Sequence, residues 1–128
     1  MLRASILTGS LLPYLYYGYY DNLFHFRGRR VPLTEHLLHL AIGILVVTAI
    51  VNAYAGQWTI MLVGLVLFLG AGALDEYVFH HGLPEAESDL HAKEHRGLMI
   101  FVVTALVTEW LDQHNWQLTP LVEQLFRG

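Results

Sequence analysis

The stretch "WTIMLVGLVLFLGAGALDEY" (58–77) runs for seventeen residues without a charge and then places two carboxylates side by side, Asp75 and Glu76. The uncharged part alone comes close to the ~20 residues a helix needs to cross a bilayer. A second run, "LAIGILVVTAIVNAYAG" (40–56), is equally bare of charge. Across the chain 55% of residues are apolar and only 14% are charged, where a soluble domain carries about a quarter charged. These 128 residues read as one integral membrane domain, 1–128.

Four spans fit the sequence, at about 5–25, 34–54, 58–80 and 88–113. Pro13, Gly18 and the tyrosines between 14 and 20 interrupt the first, which reads as a retained helix and not a signal peptide. Thr34, after Pro32, is the expected N-cap of the second span. Gly82 and Pro84 stop the third. The expected architecture is all-α: an up-and-down four-helix membrane bundle with a short amphipathic C-terminal helix at the interface, over 117–127.

Composition excludes several functions. The net charge of −4 comes without a basic cluster, so nucleic acid is not a partner. There is no cysteine, hence neither a disulfide nor a thiolate metal site. Any metal must be held by nitrogen and oxygen.

Those donors are concentrated. Residues 74–95, "LDEYVFHHGLPEAESDLHAKEH", hold four histidines and six carboxylates. In an up-and-down bundle the end of span one, the start of span two, the end of span three and the start of span four share one membrane face. His25, Glu35, His36, His39, Asp75, Glu76, His80, His81, His91, Glu94 and His95 therefore converge, seven of the eight histidines among them. Only His114 lies opposite. The same face carries Arg27, Arg29, Arg30, Lys93 and Arg96 against Arg3 and Arg127 on the other. The positive-inside rule then puts the histidine end in the cytoplasm and both termini outside.

His36 and His39, Glu76 and His80, and His91 and His95 are three or four residues apart, so each pair shares a helix face. Glu94 falls on the His91/His95 face. Imidazole with carboxylate and no sulfur suits iron, zinc or manganese. The expected metal ligands are His36, His39, His80, His91 and His95 with Glu35 and Glu76. Glu94 and Asp75 are the expected catalytic carboxylates, Asp75 also fitting a role in orienting a ligating imidazole. Glu85, Glu87 and Asp89 read as solvated charges of a loop or first helical turn. The tyrosines of 14–20 read as an interfacial aromatic belt.

Two resemblances bear on the chemistry. "HAKEH" (91–95) matches the H-x-x-E-H pattern of inverzincin peptidases, which implies two zinc ligands, His91 and His95, and a general base, Glu94. "HLLH" (36–39), "HH" (80–81) and "HAKEH" together resemble the histidine boxes of membrane non-haem di-iron oxidoreductases, the fatty-acid desaturase and alkane hydroxylase class. That resemblance implies two irons at the cytosolic helix ends and oxygen-dependent attack on a lipid or hydrocarbon chain. Glu35, Asp75, Glu76 and Glu94 would stand in for imidazoles that this chain lacks.

The expected function is thus a membrane oxidoreductase with a dinuclear iron site acting on a lipid-like substrate, fed with electrons by a partner protein. A zinc-dependent membrane hydrolase is the alternative enzyme. A metal-transport or metal-sensing subunit is the non-enzymatic one, although residues 40–74 offer no charged pathway. A chain this small also leaves room for a homo-oligomer or a larger complex.

Overall fold

The computed structural model of the chain describes residues 2–27, 32–79, 82 and 84–114, without the side chains of 24–26. They form four helices: α1 (Leu2–Arg27), α2 (Leu33–Tyr54), α3 (Trp58–Val78) and α4 (Glu85–Gln113). The described residues contain no strand. Two of these helices, α2 and α3, are long and apolar enough to cross a membrane. The expected interfacial helix at 117–127, like His80 and His81, lies outside the described residues.

Local chemistry sets the helix ends. Pro32, extended at φ −65° and ψ 152°, occupies the N-cap of α2, so Thr34 lies inside the helix and does not cap it. At the other end Gly56 takes φ 70°, a left-handed conformation that glycine adopts without a Cβ penalty. Its N–H donates to the Ala53 carbonyl at 3.4 Å, and the N–H of Gln57 donates to that of Asn52 at 2.9 Å. This paired closure is a Schellman motif, and it turns the chain directly into α3. Pro84 stands at the N-cap of α4, its carbonyl accepting from the N–H groups of Glu87 and Ser88 at 3.0 Å each. α1 continues through Pro13 without a break.

The helices associate chiefly as two pairs, α1 with α4 and α2 with α3. Within α2/α3, Gly64 lies against Ala49 and the Leu45 carbonyl, while His39 faces Asp75. Within α1/α4, Asp21 faces His91 and Arg3 faces Glu109. Both pairs are therefore antiparallel. The α1/α4 contact is tightest at Gly97, where an added Cβ would stand 2.6 Å from the Tyr14 nitrogen and 2.9 Å from the Pro13 carbonyl carbon. Only a residue without a side chain allows the two backbones to meet there.

The pairs are joined away from the histidines by Arg3, which donates to Glu109 at 2.6 Å and to the Ala53 carbonyl at 3.1 Å. Thr8 and Tyr54 add a hydroxyl contact at 2.9 Å, and Tyr54 stacks on Phe101. Between the pairs runs a narrow core that includes Leu7, Leu11, Val46, Ala49, Met61 and Phe101. Most other large apolar side chains point outward: Leu40, Ile44, Val47 and Val51 on α2, and Val63, Val66, Leu67 and Leu69 on α3. Acidic residues have gone the opposite way. Asp21, Glu35, Asp75 and Glu87 are buried. Glu87, expected to be a solvated first-turn charge, is only 4% exposed.

Gly97→Ala should destabilise the protein by about 1–3 kcal/mol, the usual cost of overpacking, read as a lower melting temperature in detergent. Gly70→Ala, where nothing lies within 4 Å of the new methyl, should be neutral or mildly stabilising. Equal effects of the two changes would contradict the close approach at Gly97.

Candidate metal centre

Each helix pair carries its own group of metal-ligand side chains. In the α2/α3 pair, Glu35 and His39 lie one helical turn apart on α2, and Asp75 meets them from α3. In the α1/α4 pair, His91 and Glu94 lie one turn apart on α4, and Asp21 meets them from α1. In either group one ligand atom per residue can be chosen so that all three lie within 4.8 Å of one another. Glu35 is 0%, Asp75 2% and Asp21 5% exposed.

The contacts inside the groups are short. Nε2 of His39 is 2.9 Å from Oδ2 of Asp75. Nδ1 of His91 is 3.3 Å from Oδ2 of Asp21 and 3.9 Å from Oε2 of Glu94. The other nitrogen of His91, Nε2, faces Nε2 of His95 at 3.0 Å and Oε2 of Glu76 at 3.7 Å. In the absence of an ion, the shorter of these are hydrogen bonds in which an imidazole N–H donates. With metal–ligand bonds of about 2.0–2.2 Å, neighbouring ligands on one ion stand about 3 Å apart, so the same spacings also suit coordination.

Both groups contribute to one cavity of about 120 Å³, which all their members but Glu35 line. Asp21, His39, Asp75, His91, Glu94 and His95 line it, with Phe68 and Leu98 supplying apolar wall. Small residues make the room. A Cβ at Gly18 on α1 would stand 3.1 Å from Oε1 of Glu94. Of the tyrosines expected to form an interfacial belt, Tyr14 lines this cavity, while Tyr16, Tyr19 and Tyr20 are exposed and in edge-to-face contact at centroid distances of 5.0–5.3 Å.

Of the residues expected from the sequence, Glu35, His39, Asp75, His91 and Glu94 are thus brought into the two groups, and His95 sits beside them. Two expected ligands are placed differently. His36 is exposed on α2 and belongs to neither group: Glu35 and His39, four apart, take the inward positions of this turn, and His36 is turned about 100° from Glu35. Glu76 is 65% exposed and approaches the site at His91, 3.7 Å away. His80 is outside the described residues, as is the side chain of His25. His114 lies at the far end of α4, its ring tilted against Trp110 at 4.4 Å.

Asp21 is the residue that the sequence reading passed over, although His25 stands four positions on in the same helix, the spacing that singled out the other pairs. The available signal was its position: Asp21 is the one carboxylate of α1, inside an aromatic stretch whose helix has its other charges, Arg3 and Arg27, near its ends, and a charge there is costly unless it is used.

No protein-family model, no curated protein and no solved structure matches this chain.

If the two groups bind metal, His39→Ala and His91→Ala should each lower bound metal by at least half, and Asp21→Asn should do the same. His36→Ala and His114→Ala should retain the full complement. Elemental analysis of the five variants, purified without chelators, makes the comparison, and equal metal in all five would exclude this arrangement.

Proposed function

We propose that the protein is an up-and-down membrane bundle holding a dinuclear metal centre, with iron as its metal and oxidation of a lipid-like substrate as its reaction. The observation that carries this is the distribution of ligands over the helices. α1 and α3 each contribute one carboxylate, Asp21 and Asp75, while α2 and α4 each contribute a glutamate with a histidine, Glu35 with His39 and Glu94 with His91. One carboxylate from each of two helices and a Glu/His pair from each of the others is also the ligand inventory of di-iron carboxylate bundles. The spacings differ from that pattern, being Glu-x-x-x-His on α2 and His-x-x-Glu on α4.

Charge supports two ions. With all four carboxylates ionised, two divalent cations would balance their charge of −4 in a region where charge is costly. Oxygen and nitrogen donors without sulfur fit iron or manganese. The metals would supply the oxidising chemistry with dioxygen as oxidant, and a partner protein would deliver electrons. The chain's own groups hold and orient: Asp75 fixes the His39 imidazole, and Asp21 fixes that of His91. The cluster would sit near the cytoplasmic surface, with the basic residues of that end.

The contact of His91 Nε2 with His95 Nε2 at 3.0 Å favours one second reading. Together they would bind a single zinc on the α3 side, with Glu94 activating water, and the protein would be a hydrolase.

Metal content separates the two. Two irons per chain, lost to a strong chelator with a fall in melting temperature, is the expected result. Binding at a hundredfold excess over the dissociation constant stabilises by about 2.7 kcal/mol, so the shift is large enough to read. One zinc per chain would replace the oxidative reading with the hydrolytic one. No bound metal after reconstitution with iron(II), manganese(II) and zinc would reject both.

A further inference from the structure

The α3–α4 side of the bundle is open. These two helices are not one of the packed pairs, and between them lies a groove of about 410 Å³. Gly72 and Ala73 on α3 and Ala92 on α4 line it, and their side chains are too short to close it. From Glu76 at one end to Phe68 at the other it follows eight residues of α3, about 12 Å at the helical rise of 1.5 Å per residue.

The groove is polar at one end and apolar at the other. Glu76 and Ser88 mark the first, Phe68 and Leu69 the second. Leu69 is also part of the outward apolar surface of α3, so the groove opens onto the face that would meet acyl chains. On its inner side it shares Phe68, Gly72, His91 and His95 with the metal cavity. The imidazoles of His91 and His95 are therefore a common wall, one side toward the buried carboxylates and the other toward the groove.

We propose that this groove binds a single-chain lipid whose polar end donates hydrogen bonds, lying with that end at Glu76 and Ser88 and its first carbons against His91 and His95. One chain is what a groove this narrow takes between two helices. An acidic acceptor at the mouth suits a hydroxyl or amine and disfavours a carboxylate or phosphate, since Glu76 is exposed there. This deepens the proposed function and rests on it: the carbons brought beside the imidazoles would be those presented to the metals.

The test uses the full chain in lipid nanodiscs with a diazirine-bearing hexadecanol, followed by peptide mapping of the photolabel and, on the same preparation, elemental analysis. Label confined to 68–76 and 88–95, competed by hexadecanol at least about tenfold better than by hexadecanoate, a 1.4 kcal/mol discrimination, is the expected result. Ala92→Phe, which fills the groove and replaces no proposed ligand, should abolish the label and leave the metal content unchanged. Val66→Phe, on the exposed face of α3, should alter neither. Label spread over the outer faces of α2 and α3, or unaffected by Ala92→Phe, would overturn the groove while leaving the metal centre standing. Specific label on a chain that binds no metal would overturn the role as substrate and, separately, the metal centre itself.

Discussion

Everything in this bundle is arranged around carboxylates that have been taken out of water. Asp21, Glu35, Asp75 and Glu94 come from four different helices and meet at one level of the fold. Burying a charge without compensation costs several kcal/mol, and a chain with so small an apolar core has little to set against four of them. The imidazoles of His39 and His91 reduce that cost by hydrogen bonding to Asp75 and Asp21, and a bound cation would reduce it further. The outward leucines and valines are the other half of the same inversion, for a molecule with acids inside and hydrocarbon outside is suited to a non-aqueous surround.

Packing serves this arrangement through very small contacts. The backbone approach at Gly97 brings α4 against α1, and the Schellman turn at Gly56 folds α3 back along α2. Neither contributes much apolar area. Their effect is to fix the phase of each helix, and so to decide which residue of a closely spaced pair looks inward. At the end away from the histidines, Arg3 ties three helices together by bonds to Glu109 and Ala53. One end is thereby held by a cation of the protein itself, while the other presents clustered acids.

Much of the fold was legible from charge-free runs and their punctuation. The α2 and α3 bounds followed approximately from apolar length and from Pro32, Gly82 and Pro84. Pro13 was misleading as an interruption, since a helix of 26 residues accommodates one proline. The site was legible by type and level more than by residue. Connectivity alone brought His39, Asp75 and His91 to one end, yet spacing says only that two residues share a face, not which of them faces the core. His36 and His39 illustrate this, as do Asp75 and Glu76, adjacent in sequence and opposite in exposure. Asp21 and Tyr14 were missed because their roles arise from the neighbouring helix.

The pairing of helices also fixes an order of events. His39 and Asp75 are 36 positions apart within one hairpin, while Asp21 and His91 are 70 apart and bracket that hairpin. Distant contacts form late because their loops must close first. During synthesis the inner half of the cluster can assemble as soon as α3 has emerged, whereas the outer half waits for α4 to return to α1. The cluster thus becomes whole only once α4 has packed on α1, and an ion captured across both halves would act as a clasp between the two helix pairs.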